Sequence, residues 1–422
     1  MKLREFLIKK MTPFSERTAF ENSGIKYSDL LRFLTDGLNG GKLELCDGKT
    51  KEEQALNIIK CIGRGNVAVP ASETYGRNQY LYIKDIIKDI VDNDGSTYDD
   101  LAFLMFTSGT TGKPKGVMLT DENIISNIGY ISDYFDIADC KKICIARPLL
   151  HIAVLTGELL FALCNGLTVT FYEESFMPQR LMSFLSASET EIFCATPTLF
   201  VLLSGYADKY PTRLRVCAVS GERLTKSGAE IISSAFPKTL FYNVYGLTEH
   251  SPRVSALCPS DFVRKAGSVG KPIGSVEVKI EDGELSIHSL CVMKGYFGDE
   301  KKTKLKIKNG WLKTGDMAHF DDEGYLYIDG RKDNMIIRSG INIYPESIED
   351  AAMKILGVED CLVIGQADDT GITKLVMKYI GSANPIEVRK RLTAILDTHF
   401  MPDRIEKVEA FEKTLSGKKV RR

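Results

Sequence analysis

The chain has 422 residues, of which 44% are hydrophobic and 26% charged, and this length predicts two or more domains with separate cores. Its formal net charge of −1 gives no overall attraction to nucleic acid or to an anionic membrane, so neither is expected as a partner. No run approaches the roughly 18 apolar residues of a membrane helix. The ten cysteines include no CxxC pair and the five histidines form no ligand cluster, which predicts free thiols, no structural metal and a cytoplasmic location.

The first elements predict a small subdomain followed by the segment that contains the main motif. Residues 1–95 mix helical and strand patterns without a chemical motif, and 92–96 resemble a linker. A continuous apolar run over 101–106 predicts a buried strand, and 117–119 predicts another. The helix expected next has four isoleucines on one face: Ile124, Ile125, Ile128 and Ile131.

Strand and helix patterns then alternate to about residue 258, as in a layered sheet covered on both faces. From about 262 to 330 only strand patterns remain, with a hairpin at Asp282-Gly283. Residues 331–422 predict a separate α+β unit. Its expected elements are a helix near 347–356, a strand pair around 368–371, a helix over 385–400 and a last strand near 405.

The loop between the first two predicted strands has the strongest chemical pattern. It reads TSGTTGKPKG over 107–116, and its glycines, hydroxyl groups and two lysines can surround a polyphosphate. It is not a P-loop, because two residues instead of four separate Gly109 from Gly112 and Pro114 follows Lys113. Taken alone, the pattern is also consistent with a mobile surface loop.

This loop resembles, position for position, the phosphate loop of the acyl-adenylate-forming superfamily, which includes acyl-CoA synthetases and peptide-synthetase adenylation domains. Four further family motifs follow in the same order: YGLTE at 245–249, WLKTGD at 311–316, GRKD at 330–333 and SGK at 416–418. The resemblance extends from 101 to 418. It implies a large N-terminal domain (1–330) of layered α/β sheets, with a small β-barrel at about 262–330, and a mobile C-terminal α+β lid (331–422).

The resemblance also implies residue roles. Thr248 would bond the α-phosphate, Glu249 would hold Mg²⁺, and Asp316 with Arg331 would bind the ribose of ATP. The implied phosphate-binding residues are Thr107, Ser108, Gly109, Thr110, Thr111, Gly112, Lys113 and Lys115. Gly221, Glu222 and Tyr245 would lie beside the adenine, and Gly246 would also bind the nucleotide. Several of these residues also have an ordinary alternative. Glu249 would then be a surface acid and Asp316 a turn-capping residue. Gly221 and Glu222 would form a plain strand-to-helix turn, and Tyr245 would be a core aromatic.

Three implied roles fall in the C-terminal region. Lys418 would bridge the substrate carboxylate and the phosphate ester during adenylation, unless it belongs to a flexible basic tail. Gly340 would border the thiol tunnel, because a residue without a side chain lets a pantetheine arm pass closely. Asp333 would be the hinge of the lid, with a plain interdomain linker as the alternative.

The acid pocket is expected around the segment PLLH at 148–151, which resembles a family motif and places His151 near the acyl channel. Thr196 and Val219 would line the same pocket, with core packing as the alternative. Peptide-synthetase domains usually have an Asp in this region for the substrate ammonium. Here 147–157 contains none, and Glu158 is the first acid, so an α-amino acid is not expected.

The implied activity is ATP- and Mg²⁺-dependent conversion of a small carboxylic acid to acyl-AMP, followed by thioester formation with coenzyme A. One alternative acceptor is the phosphopantetheine of an acyl carrier protein. Another alternative is a nucleotide-binding regulatory protein without catalysis. About 100 residues precede the phosphate loop, which is fewer than in ordinary family members and implies a shortened N-terminal region.

Overall fold

The structure is a computed structural model, and it describes residues 1–36, 40–73, 77–93, 98–107, 114–137, 139–338, 341–367, 373–412, 419 and 421. Contacts divide the chain into two compact units. The first is Met1–Lys279, Ser286–Lys313 and Asp322–Leu326, and the second is Ile280–Leu285, Thr314–Asp321 and Tyr327–Arg422. Both contain helices and strands, so the predicted α/β multidomain class is confirmed. The predicted domain boundary between 330 and 331 stays a prediction.

The strands of the described residues are β1 (Thr18–Phe20), β2 (Ile25–Lys26), β3 (Leu43–Cys46), β4 (Val67–Pro70), β5 (Leu101–Thr107), β6 (Lys115–Thr120), β7 (Lys142–Ile145), β8 (Thr168–Phe171), β9 (Ile192–Ala195), β10 (Val216–Ser220), β11 (Leu240–Gly246), β12 (Arg253–Leu257), β13 (Ser268–Pro272), β14 (Glu277–Glu281), β15 (Glu284–His288), β16 (Gly295–Tyr296), β17 (Ile307–Lys308), β18 (Trp311–Phe320), β19 (Leu326–Arg331), β20 (Ile336–Arg338), β21 (Ile341–Ile343), β22 (Val358–Ala367), β23 (Thr373–Gly381) and β24 (Arg404–Lys407).

The helices are α1 (Leu3–Met11), α2 (Tyr27–Thr35), α3 (Lys51–Gly63), α4 (Arg77–Asn93), α5 (Asp121–Tyr134), α6 (Ile152–Val154), α7 (Phe161–Cys164), α8 (Pro178–Ala187), α9 (Pro197–Ser204), α10 (Lys226–Ala235), α11 (Glu300–Lys306), α12 (Pro345–Ala352) and α13 (Pro385–Thr393). A π-helical turn, Leu155–Leu160, joins α6 to α7. Within the described ranges, no helix is long and apolar enough to cross a membrane.

The largest sheet of the first unit has the strand order β13-β12-β11-β10-β9-β7-β8-β1-β2. The five strands from β11 to β8 in this order pair in parallel, whereas β12 and β13 are antiparallel. Every residue of β9 and β10 is buried, as expected for parallel strands covered on both faces. The predicted alternation of strands and helices to about 258 therefore corresponds to a doubly covered sheet.

A second sheet of the first unit holds the ends of the predicted phosphate loop. Its strand order is β16-β6-β5-β4-β3. β5 and β6 are antiparallel, and their last aligned pair is Thr107 with Lys115. Because these two residues are cross-strand neighbours, the loop between them starts and ends at one place.

The second unit has its own apolar core. β22 pairs antiparallel with β23, and β24 pairs parallel with β23. α12 and α13 contribute Ile348 and Val388 to a core that also contains Tyr379. The predicted strand pair and terminal strand are present, while its turn residues 368–371 lie outside the described residues.

Two sequence predictions about the late elements were wrong. The segment 262–330 is not β only, because α11 interrupts it. Asp299 starts this helix by accepting a hydrogen bond from the Lys302 N–H at 2.9 Å, and Glu300 pairs with Lys304 at 3.0 Å. The helix predicted over 385–400 ends at Thr393. Its buried face stops at Leu392 and Ile395 is half exposed, so no apolar stripe supports further turns.

Phe200 on α9 is the centre of the aromatic core that supports the parallel sheet. It is fully buried and lies 5.6 Å from Phe193, 5.2 Å from Phe241 and 6.3 Å from Phe236 between ring centroids. We expect Phe200→Ala to lower the free energy of unfolding by about 3–5 kcal/mol, because it leaves a cavity among these rings.

Phe176→Ala is the matched control, because this phenylalanine is 54% exposed. The free energy of unfolding of both variants is measured by urea denaturation, with circular dichroism as the probe. Equal losses of stability in the two variants would contradict the central position of Phe200.

Candidate active site

The parallel strands of the first unit bring four loops to one edge of the sheet. After β7 the chain adds β8 on one side and then returns past β7 to add β9, β10 and β11 on the other side. In such sheets, ligands bind beyond the carboxyl ends of the strands, at the point where the order in which the chain adds strands reverses. The residues that follow these ends are Ala146, Thr196, Gly221 and Leu247, and Arg147 is the second residue after β7. We call this edge the carboxyl-end crevice.

The end of β11 positions the predicted phosphate and magnesium residues. Tyr245 and Gly246 are its last residues, and a 3-10 turn over Thr248–His250 follows. A Cβ atom at Gly246 would lie 2.0 Å from the carbonyl oxygen of Pro252, so only glycine fits this approach of β11 to the chain entering β12. The turn leaves Thr248 and Glu249 half-buried.

Glu249 lies in a cluster of charged and polar side chains contributed by three elements. The Tyr296 hydroxyl on β16 donates to Glu249 Oε1 at 2.8 Å. Burial and the neighbouring Lys302 ammonium lower the pKa of Lys115, whereas Glu249 opposes this change. Lys302 also lies over the Tyr296 ring, 5.6 Å from its centroid. Two ammonium groups beside one carboxylate leave an excess of positive charge, which suits a polyphosphate.

His250 follows Glu249 but adds no charge to this cluster. It is fully buried, and burial lowers its pKa to about 4, so the ring is neutral at physiological pH. Its Nε2 is hydrogen-bonded to Ser289 Oγ at 2.8 Å. The carboxylate of Glu249 is therefore the charged oxygen group of the 3-10 turn, and a single carboxylate together with phosphate oxygens would fit Mg²⁺.

The segment after β10 begins with a glycine in a left-handed conformation and is hydrogen-bonded to α9. Gly221 has a φ of +88°, a conformation that favours glycine. Glu222 Oε2 accepts a hydrogen bond from the Thr198 N–H at 3.3 Å, and Thr196 Oγ1 accepts one from the Leu199 N–H at 3.2 Å. Both side chains thus satisfy the N-terminus of α9, which fixes the loops after β9 and β10 against each other.

The predicted acid-pocket residues lie in the same part of the sheet. His151 is exposed and stands immediately before α6. Val219 on β10 is fully buried in an apolar core, so the packing alternative describes its contacts. Glu158 is fully buried, and its Oε1 accepts from Arg147 Nη2 at 2.6 Å. The first carboxylate after residue 147 is therefore already paired with an arginine.

The predicted ribose-binding pair belongs to the second unit. Asp316 is 6% exposed, and its Oδ1 accepts a hydrogen bond from Arg331 Nη1 at 2.8 Å. The same nitrogen donates to the Thr314 carbonyl oxygen at 3.2 Å. Arg331 Nη2 also lies 3.9 Å from the exposed Asp333. The two residues assigned to one sugar are therefore in direct contact, which favours their joint role.

Several predicted residues lie outside the described residues. They are Ser108, Gly109, Thr110, Thr111, Gly112, Lys113, Gly340 and Lys418. Their roles stay predictions.

Sequence reasoning did not assign Tyr296, Lys302 or Arg147 to the site. Tyr296 and Lys302 come from β16 and α11, and the pairing of β16 with β6 brings β16 near Glu249. No local sequence pattern predicts such a contact. Arg147 did have a signal, since a charged residue two positions after a buried strand is seldom buried without a partner.

Comparisons with known proteins agree with this geometry. The model of the family described as AMP-binding enzyme matches residues 44–297, more than half of the chain. The 2-succinylbenzoate–CoA ligase of Bacillus licheniformis is 31% identical over 300 residues, which cover 68% of this chain and 62% of that protein. The mitochondrial medium-chain acyl-CoA ligase of Rattus norvegicus is 32% identical over 348 residues, covering 76% and 56%.

A solved structure is similar over nearly the whole length. The o-succinylbenzoate CoA synthetase of Bacillus subtilis, in complex with its acyl-adenylate intermediate, has a TM-score of 0.85 and 23% identity, and the match covers 99% of this chain and 96% of that one. The two curated relatives, by contrast, are matched over only about three-fifths of their own length. The family match and these identities confirm the resemblance seen in the motifs: the chain belongs to the AMP-binding enzyme family.

Proposed function

We propose that the chain is an AMP-forming ligase that converts a small carboxylic acid to acyl-AMP and then to its coenzyme A thioester. The observation that supports it most is the cluster at the end of β11. There, Glu249 lies beside Lys115 and accepts a hydrogen bond from Tyr296. A carboxylate for a hard cation and ammonium groups for phosphates are what MgATP requires. Both curated relatives named above are CoA ligases, which favours coenzyme A as the thiol.

In the first half-reaction, a substrate carboxylate oxygen forms a bond to the α-phosphorus of ATP and the bond to pyrophosphate breaks. The Thr248 hydroxyl would donate to the α-phosphate and Lys418 would contact both reacting groups, which stabilises the charge that develops there. Mg²⁺, when bound, offsets the charge of the phosphates, and Glu249 is the residue that would hold it. Asp316 and Arg331 would bind the ribose.

In the second half-reaction, the thiol attacks the acyl carbon and AMP leaves. The predicted residue beside the thiol is Gly340, and the predicted hinge is Asp333. A carrier-protein thiol would undergo the same chemistry, so the acceptor is the least constrained part of the proposal. We also propose a cytoplasmic location, which is supported by the fact that all ten cysteines are free.

The proposal is tested by measuring pyrophosphate release with MgATP and a panel of acids, without any thiol. Aliphatic or aryl acids should give release, whereas α-amino acids should be inert. The reason is that Glu158 is already paired with Arg147, and a buried ammonium without a partner is costly. Release with amino acids alone would contradict the predicted substrate class, and no release with any acid would contradict the proposed activity.

Glu249→Gln should reduce the rate of pyrophosphate release by about a hundredfold and raise the magnesium concentration needed for half-maximal rate, because a neutral amide is a poor ligand for Mg²⁺. Tyr296→Phe keeps the ring but removes the hydroxyl, so we expect a loss of about fivefold, the effect of one hydrogen bond.

The matched control is Glu300→Gln, an exposed residue at the start of α11. Initial rates are measured across a magnesium titration for all three variants. If Glu249→Gln keeps the magnesium dependence of the wild type, Glu249 is not the ligand.

Lys418→Ala should lower acyl-adenylate formation by about a hundredfold, since one preorganised charge is lost from the reacting groups. Thioester formation from supplied acyl-adenylate should change far less. Lys407→Ala is the control, because this lysine is exposed on β24. Rapid-quench assays measure each half-reaction separately, and equal losses in both halves would remove Lys418 from its assigned role.

A further inference from the structure

The carboxyl-end crevice contains buried charges that the proposed chemistry does not use. Arg147 follows β7, Glu158 lies in the π-helical turn, and Arg253 is the first residue of β12. The side chains of Arg147 and Glu158 are 16% and 0% exposed, and Arg253 is 3% exposed. We call these three residues the arginine cluster.

Arg147 links this cluster to the end of β10. Its Nη2 donates to Glu158 Oε1 at 2.6 Å, and its Nη1 donates to Ser220 Oγ at 3.2 Å. Ser220 lies between Val219 and Gly221, two residues predicted to border the acid and the adenine. The arginine cluster is therefore next to the segment where the acid substrate is expected.

Arg253 has a fixed backbone and an unpaired side chain. Asn127 accepts from the Arg253 N–H at 3.2 Å and donates to its carbonyl oxygen at 3.0 Å. The guanidinium lies against Gly157, where a Cβ atom would be 3.1 Å from Nη2. Its Nε is buried without a hydrogen-bond partner, and no ion pair joins Arg253 to any residue of the described ranges.

The charges of the arginine cluster do not balance. Arginine stays protonated in proteins, so two positive charges face one carboxylate. Burial raises the pKa of Glu158, while Arg147 and Arg253 oppose that rise, and protonation of Glu158 would only add to the excess. Glu158 Oε2 and Arg147 Nε are also buried without partners. An uncompensated buried charge is strongly unfavourable unless something of opposite charge binds beside it.

We propose that the acid substrate has a second carboxylate, which binds to Arg253 at the arginine cluster while the first carboxylate reacts with ATP. This inference rests on the proposed function and names its substrate class as dicarboxylic acids. A guanidinium presents parallel N–H groups that match a carboxylate in two-pronged hydrogen bonding. A second carboxylate also neutralises the excess charge of the arginine cluster. The absence of a side chain at Gly157 leaves room for the Arg253 guanidinium.

The structural alternative is an Arg–Glu–Arg arrangement that only stabilises the fold. Such triads exist in protein interiors, and their arginines contact the shared acid. Here Arg147 contacts Glu158, whereas Arg253 forms no ion pair with it. The experiment below separates the two.

The test compares matched acids that differ only in the second carboxylate: hexanoate with adipate, and para-toluate with terephthalate. Pyrophosphate release is measured without thiol for the wild type, Arg253→Met and Arg253→Lys. In the wild type, kcat/KM for the dicarboxylate should exceed that of its monocarboxylic partner by about a hundredfold, the effect of one buried charge pair. In Arg253→Met this preference should disappear through loss of the dicarboxylate activity, while the monocarboxylate rate stays within about threefold.

Arg215→Met is the matched control, because Arg215 precedes β10 at the opposite end of the strand and its side chain is 48% exposed. It should keep the dicarboxylate preference. Binding is also measured without ATP by thermal shift, in which adipate or terephthalate should raise the Tm of the wild type and not that of Arg253→Met. Should Arg253→Met fail to fold, Arg253→Lys keeps the charge but loses the two-pronged geometry, and its preference should fall about tenfold.

The outcomes distinguish the two proposals. Equal use of both members of each pair by the wild type, or equal losses for both in Arg253→Met, would overturn the dicarboxylate inference and leave the ligase function intact. No pyrophosphate release with any acid, together with a dicarboxylate thermal shift that depends on Arg253, would overturn the ligase function and support the anion site alone.

Discussion

The parallel pairing of β7, β9, β10 and β11 is the constraint on which the carboxyl-end crevice depends. Parallel ladders place the carboxyl ends of all four strands at one edge, so segments far apart in the chain meet there. The order in which the chain adds strands reverses at β7. The loops on the two sides of β7 therefore lead away from each other and leave room for a ligand. Disturbing the ladder would displace Arg147, Ser220 and Glu249 together, because none of them is held there by its own loop alone.

Much of the fold followed from local patterns. Strand β5 was predicted because its apolar run is continuous, and the hairpin at Asp282-Gly283 was predicted from turn chemistry. The errors arose where tertiary packing decides. α11 is a short lysine-rich helix without a buried face, and the end of α13 depends on where its contacts with the core stop at Leu392. Neither the exposure of α11 nor the end of the core contacts of α13 can be seen in a short stretch of sequence.

The candidate site also contains residues that the sequence predicted and residues that it did not. Thr248, Glu249, Asp316 and Arg331 were predicted from motifs, and the last two are in direct contact. Their partners were not predicted, because they come from elements brought together by pairing over long distances. Tyr296 is 47 residues from Glu249, and the contact is supported by the antiparallel pairing of β16 with β6 and by a hydrogen bond from the Met293 N–H to the Glu249 carbonyl oxygen. Arg253 was also missed, since its contact with Gly157 joins segments that are far apart in the chain.

The π-helical turn Leu155–Leu160 sets the position of Glu158 beside Arg147. A π turn contains one residue more than an α-helical turn, and such turns are frequent at functional sites. Losing a single residue there would restore the α-helical register and rotate the position of Glu158 by about 100°. The carboxylate would leave Arg147 while β7, β10 and the nucleotide residues stayed unchanged. Under the dicarboxylate proposal, a one-residue deletion would thus change the charge beside the acid substrate without any substitution in the sheet.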